Sequence, residues 1–388
     1  MDIVRAKLET VSRELSLILP DAELESTVAP GAKQISYRFF VDQNKNQFLL
    51  FPSGAETSHV VRRLLFGKQP NTAPLPTIKD FAESDKSRSL IDLTLRFNSG
   101  PSGALKSLWT DRSAIVLTNG QKKRIGFLVD VGSNQLKSVI KVPMGPGTTE
   151  NVQKEISLLE HLEKSGVDLA PKPQVAGYLK SHHSPKYFYY TSQSYVGGER
   201  PKGLSSDLIS GFLSQLRLKD QHVSLYDLAQ NQMRRVLEAD LASDATRNGL
   251  LKLLDRVKDK TQRPASLVHG DLRPSNLVVS SHRGLRAIDW EFSDRKGLEI
   301  VDFSHLVLDQ AYTRSTHKTF SEMFRAEWLK VIQTYAATYV PGPPIELSQM
   351  LALQFAQHYL DRYLGFDRWD TGKLRRLANA LHTDWPFD

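Results

Sequence analysis

Residues 267–291 read LVHGDLRPSNLVVSSHRGLRAIDWE, and the rest of the chain is arranged around them. Two short apolar runs, Leu277 to Val279 and Leu285 to Ile288, flank the polar stretch Ser280-Ser281-His282-Arg283-Gly284, so the segment predicts a β-hairpin. Asp271 and Asn276 stand just before the first strand, and Asp289 closes the second. The hairpin therefore brings a carboxylate, an amide and a second carboxylate to one of its ends. Oxygen donors of this kind suit Mg2+, a hard cation that keeps several waters and is usually shared with substrate phosphates.

The run His269-Gly270-Asp271-Leu272, with Asn276 beyond it and Ile288-Asp289-Trp290-Glu291 downstream, resembles the signature of the aminoglycoside phosphotransferase and choline kinase-like family. That resemblance implies the protein-kinase fold. It implies Asp271 as the residue that orients the acceptor hydroxyl and takes its proton, and Asn276 and Asp289 as Mg2+ ligands. It implies ATP as co-substrate, with GTP open, and a small hydroxylated acceptor. His269 fits a residue that fixes the loop, because Asp271 already takes the role of base. Arg273 stands where protein kinases place a lysine that contacts the transferred phosphoryl; a guanidinium suits that geometry, and pairing with a surface acid is the alternative. Any one of these residues alone usually marks an ordinary turn; three of them in an apolar frame carry the reading.

The composition is that of a globular protein with room for two or three units: 388 residues, of which 40% are hydrophobic. No run of about 18 apolar residues occurs, and Met1-Asp2-Ile3-Val4-Arg5 opens a charged amphipathic segment, so the expectation is a cytoplasmic protein with no membrane partner. With no cysteine in the chain, disulfides, thiolate metal sites and a cysteine nucleophile are excluded. The net charge of +8 suggests anionic partners, nucleotide phosphates first. The basic residues fall in short runs such as Lys122-Lys123-Arg124 without interleaved aromatics, which argues against nucleic acid.

Along the chain, residues 1 to about 20 predict an amphipathic helix stopped by Pro20. Ile35 to Val41 and Gln47 to Phe51 predict two strands around a polar turn, and Glu56 to Phe66 a helix. Gly67 to Arg88, with Pro70, Pro74 and Pro76, reads as a linker or surface excursion. The expected organisation is α+β and two-lobed: an N-terminal α/β accessory domain of unknown role (1–95), a small β-rich kinase-like N-lobe (96–195) and a helical C-lobe (196–388) carrying the catalytic loop and the acceptor-binding region.

Ala114 to Leu117, Ile125 to Val131 and Val139 to Val142 predict three antiparallel strands, followed by a helix from about Thr149 to Ser165 stopped by Gly166. By the same resemblance, Lys141 in the third strand would pair with the α/β-phosphates, and Glu155 on the helix would hold it, with Glu150 as the alternative partner. The turn Thr118-Asn119-Gly120-Gln121-Lys122-Lys123 lies where kinases cover the phosphates, yet it has a single glycine where protein kinases have several. Lys186 to Gly198 reads as a strand running into a glycine-containing connector, where Ser194, Tyr195 and Val196 would meet the adenine through their backbone. Tyr195 either lines the base pocket or fills the strand.

Residues 204 to 260 carry helical apolar spacing, and residues 303 to 388 continue as helices around a break at Pro341 to Pro344. Asp302 resembles the family's aspartate behind the active site, where it would cap backbone groups near the catalytic loop. A protein kinase is disfavoured by Gly270 in place of arginine, by Asp289-Trp290-Glu291 in place of Asp-Phe-Gly, and by the lack of Ala-Pro-Glu. The alternative to an active small-molecule kinase is a catalytically weak kinase-fold module that binds nucleotide or a protein partner. Lys141, Glu155, Asp271, Asn276 and Asp289 are all present, which favours the enzyme.

Overall fold

The structure, a computed structural model, describes residues 22–25, 34–42, 47–52, 88–97, 108, 113–119, 123–180, 187–201, 206–239, 241, 243–280, 284–314, 322–323, 325–329 and 345–360. The expected helices at 1–20 and 56–66, nearly all of the 67–88 linker, the centre of the 118–123 turn and the 341–344 break lie outside them. The chain forms two units, residues 1–156 with 171–195, and residues 157–170 with 196–388.

The first unit is built on one sheet. Its strands are β1 (Ala22–Glu25), β2 (Gln34–Asp42), β3 (Gln47–Pro52), β4 (Arg88–Phe97), β5 (Ser113–Asn119), β6 (Lys123–Asp130), β7 (Gln135–Pro143), β8 (Pro173–Lys180) and β9 (Tyr187–Ser194). They lie in the order β1-β4-β2-β3-β5-β6-β7-β9-β8. Every neighbouring pair is antiparallel. Residues 1–95, expected as a separate accessory domain, thus place β1, β2, β3 and most of β4 in the same sheet as the expected N-lobe, and no break in the sheet falls at residue 95. No strand is expected over β4, whose residues run from the end of the linker at Arg88 through the end of the accessory domain at residue 95 into the N-lobe. Its strand character lies in Ile91, Leu93, Leu95 and Phe97 alternating with Asp92, Thr94 and Arg96, a period of two overshadowed by the prolines before it. Phe40, Leu49, Phe51, Ile115, Leu128, Ile140 and Val142 are buried in this unit.

Helix α1 (Pro146–Lys164) starts in the first unit and ends in the second. Val152, Glu155, Ile156, Leu159 and Leu162 recur at helical spacing and are buried. Its end is a Schellman motif: the Gly166 N–H donates to the Glu163 carbonyl and the Val167 N–H to that of Leu162, each at 3.0 Å. The motif needs a left-handed residue after the last turn, and Gly166 takes it at φ +73°.

In the second unit, α2 (Ser206–Ser214), α3 (Leu225–Glu238), α4 (Asp244–Leu254), α5 (Glu299–Arg314) and α6 (Leu347–His358) share one apolar core that includes Leu213, Val236, Leu250, Leu267, Trp290 and Phe355. Three strands, β10 (Arg217–Val223), β11 (Arg263–Val268) and β14 (Asp294–Gly297), form a small antiparallel sheet in the order β10-β11-β14. The sequence gives little sign of β10, Arg-Leu-Lys-Asp-Gln-His-Val, because most of it faces solvent and its partner β11 lies far along the chain. The hairpin of β12 (Leu277–Ser280) and β13 (Gly284–Ala287) forms as expected, with Leu277 opposite Ala287 and Ser280 opposite Gly284. The result is a mixed α+β chain with a sheet-based unit and a mainly helical one.

Candidate active site

The candidate residues fall into two groups. In the first unit, Lys141 lies inside the sheet, opposite Ile125 on β6 and Thr191 on β9. Its Nζ contacts both carboxylate oxygens of Glu155 at 2.7 Å. Both side chains are at least 96% buried. A lysine at this depth is costly unless paired, and the symmetric contact supplies the pairing. Glu150, the alternative partner, is exposed on the first turns of α1.

At the end of β9, the Ser194 N–H donates to the Lys172 carbonyl at 2.8 Å and the Tyr195 N–H to that of Lys137 at 3.1 Å. The Ser194 hydroxyl also accepts the Lys172 N–H at 2.8 Å. Tyr195 is partly exposed and Val196 buried, and the two units part between these two residues.

The second group surrounds the loop after β11. The Asp302 carboxylate, wholly buried on α5, accepts the N–H of His269 at 2.8 Å on one oxygen and that of Gly270 at 2.9 Å on the other. Burial pushes its carboxyl up to about 7, while the two N–H groups pull it down. Gly270 has φ +77°, and a Cβ there would collide with the Phe292 carbonyl oxygen. Only glycine suits both demands, which explains the residue that separates this loop from that of protein kinases.

His269 is fixed on three sides. Its Nδ1 accepts the Asp271 N–H at 3.2 Å, so Nε2 carries the proton and donates to the Ile288 carbonyl at 2.9 Å. Its ring lies 4.6 Å from that of Trp290. Trp290, itself fully buried, donates its indole N–H to the Ala287 carbonyl at 2.9 Å. With both nitrogens engaged, His269 ties the loop to the end of β13 rather than acting as a base.

Asp271 and Asn276 are brought together. The Asn276 amide nitrogen donates to the Asp271 carbonyl at 3.0 Å and to its carboxylate at 3.1 Å. Arg273 lies 3.2 Å from the same carboxylate oxygen, so it meets Asp271 itself, a partner the sequence had not suggested. The Ile288 N–H donates to the Asn276 carbonyl at 2.9 Å, which draws the two mouths of the hairpin together one residue before Asp289. Asp289 is half-buried and adopts φ +68°, a left-handed conformation uncommon outside glycine and tolerated best by Asp and Asn. Observed strain of this kind is a pointer to function.

The donor chemistry fits a hard dication. Asn276 has its side-chain nitrogen committed twice to Asp271, which leaves its side-chain oxygen Oδ1 as the donor for a cation, and Asp289 would add a carboxylate. Sequence reasoning missed the brace behind the loop. Arg217 on β10 meets both oxygens of Glu299, at 2.8 and 3.3 Å, and so steadies the first turn of α5 that carries Asp302. A contact across 82 positions leaves no local signal in the sequence.

A model of the phosphotransferase enzyme family matches residues 118–340, more than half of the chain, and the chain belongs to that family. That membership makes it a phosphotransferase. Among solved structures it is similar to the GDP complex of wild-type aminoglycoside 2'-phosphotransferase-IIIa, at 15% identity over 69% of this chain and 91% of that one, with a TM-score of 0.42. It is also similar to the phosphotransferase of the streptomycin-ATP-APH(2")-IIa ternary complex, at 16% identity over 69% and 91%, TM-score 0.38. An aminoglycoside phosphotransferase from Alicyclobacillus acidocaldarius aligns at 15% identity over 69% and 89%, TM-score 0.34. No curated protein matches. Among the described residues, no helix is long and apolar enough to cross a membrane.

Proposed function

We propose that the protein transfers the γ-phosphate of ATP, with GTP as the other candidate, to a hydroxyl of a small metabolite or antibiotic-like acceptor, with Mg2+. The observation that carries this reading is the catalytic loop: a buried carboxylate, Asp271, held by the Asn276 amide on a backbone pinned by Asp302. In the reaction, the acceptor hydroxyl gives its proton to Asp271 while its oxygen attacks the γ-phosphorus. The bond from that phosphorus to the bridging oxygen breaks, and the nucleoside diphosphate leaves. Asn276 and Asp289 would hold Mg2+, which when bound would supply neutralising charge to the phosphate oxygens.

Lys141, steadied by Glu155, would neutralise the α- and β-phosphates. Arg273, at ion-pair distance from Asp271, would meet charge on the moving phosphoryl group while the proton is taken up. Because the N–H groups of Ser194 and Tyr195 are engaged within the first unit, adenine recognition would pass to the N–H of Val196 and to neighbouring carbonyls.

The test compares wild type with Asp271→Ala and Asp289→Ala in a MgATP-dependent assay over a panel of hydroxylated acceptors, together with MgADP binding. Asp271→Ala is expected to lose turnover by about 10²–10⁴-fold with MgADP binding retained, as expected for removal of a general base. Asp289→Ala is expected to weaken MgADP binding by at least about 10–100-fold, what loss of a ligand's mere supporting contact costs elsewhere. Equal turnover in all three proteins would overturn the roles proposed for these residues, and MgADP binding with no transfer to any hydroxyl would leave only a nucleotide-binding module.

A further inference from the structure

We infer that the N-terminal strands β1 to β4 hold the phosphate-covering hairpin β5–β6 in a fixed position and so act as a positioning element for nucleotide binding. The inference rests on the phosphotransfer reading above, which assigns the turn between β5 and β6 to the nucleotide phosphates.

β5 is the middle strand of the nine described strands in the sheet. On one edge it pairs with β6 from Ser113 opposite Asp130 to Asn119 opposite Arg124. On the other it pairs with β3, with Phe48 opposite Leu117, Leu49 opposite Val116 and Leu50 opposite Ile115. Successive strand residues point to opposite faces of a sheet. Ala114, Ile115 and Val116 are successive and all are 0% exposed, so β5 is covered on both faces as well as laddered on both edges. A strand at the edge of a sheet can lift at the cost of one ladder; β5 would have to break a second ladder and uncover apolar side chains.

The part of this chain that matches the family model begins at Thr118, after β1 to β4 and most of β5. The N-terminal strands give the hairpin's first strand its second ladder, through β3.

Hydrogen exchange on the full-length protein tests the inference first. Amides of β5 are expected to be as protected as those of β7 in the free protein and to change less than about twofold in rate when MgADP is added. Fast exchange of β5 that slows only with MgADP would overturn the inference. The absence of native cysteine permits a second test. Of two successive antiparallel pairs, one is the close, non-hydrogen-bonded kind whose Cα spacing admits a disulfide. Phe48→Cys with Leu117→Cys, and Leu49→Cys with Val116→Cys, are therefore both made. The pair that oxidises is expected to keep nucleotide KM and kcat within about twofold of the reduced form, and a tenfold loss on oxidation that a reductant reverses would show that the ladder has to open. In the third test, Leu49→Ala, which thins the packing between β3 and β5, is expected to raise nucleotide KM several-fold with acceptor KM unchanged. A folded variant with unaltered nucleotide KM would count against the positioning role. If wild type binds no MgADP at all, the phosphotransfer reading fails, and exchange in the free protein still decides whether β5 is held.

Discussion

Asp302 reaches the catalytic loop through main-chain N–H groups, and its own titration follows from where that places it. Its ordinary value is 3.8, and burial raises it to about 7 in the folded protein. A folded value above the unfolded one means that the folded state holds the proton more tightly. The stability contributed by this group is therefore complete below about pH 4 and is lost as pH rises through about 7. The stability of wild type relative to Asp302→Asn, measured by urea unfolding, is expected to fall between pH 5 and pH 8; a difference that stays flat or grows would refute the assignment. At this scale the sequence was informative about identity and weak on direction. Asp271, Asn276, Asp289 and Asp302 are legible through the family resemblance, whose motif sets their positions in a hairpin and at a helix start. The Arg273 contact with Asp271 is not, because where a long side chain turns depends on how the loop folds.

The joining of β7 to α1 through Lys141 and Glu155 raises the question of whether the pair serves stability or phosphate binding. Removing one partner of a buried ion pair leaves an uncompensated charge and costs about 3–5 kcal/mol, whereas replacing both with apolar groups of similar size is often neutral or stabilising. Lys141→Met alone is thus expected to destabilise the protein by about 3 kcal/mol or more. Lys141→Met with Glu155→Leu should recover most of that loss in thermal unfolding while MgADP binding stays lost. Recovery of nucleotide binding in the double variant would show that the pair is structural only. The elements themselves were read with uneven success. α1, its glycine stop and the β12–β13 hairpin follow from local patterns, and β5, β6 and β7 from short apolar runs. β10 and β14 were missed because their residues are mostly exposed and they exist through pairing with β11.

For the whole molecule, a ligand that binds only the folded chain should stabilise it by mass action. MgADP at about 100 times its Kd is expected to add about 2.7 kcal/mol to unfolding stability. If Asn276 and Asp289 hold the cation, EDTA should remove most of that gain, and an equal thermal shift with and without EDTA would argue against them. The organisation of the sheet shows where reading the sequence stops. By itself the sequence determined the local frame of the loop, because Asp271, Asn276 and Asp289 lie within one hairpin and its approach, where short-range geometry sets their spacing, and the resemblance carried by those residues implied the class of chemistry. Only the tertiary structure decided that the strands of residues 22–97 continue the sheet that holds Lys141, that the Arg217–Glu299 brace steadies the helix turn carrying Asp302, and that β5 is the central one of the described strands. Strand neighbours and buried partners far apart in the chain are chosen by which edges and faces remain to be covered, a choice that no local pattern records.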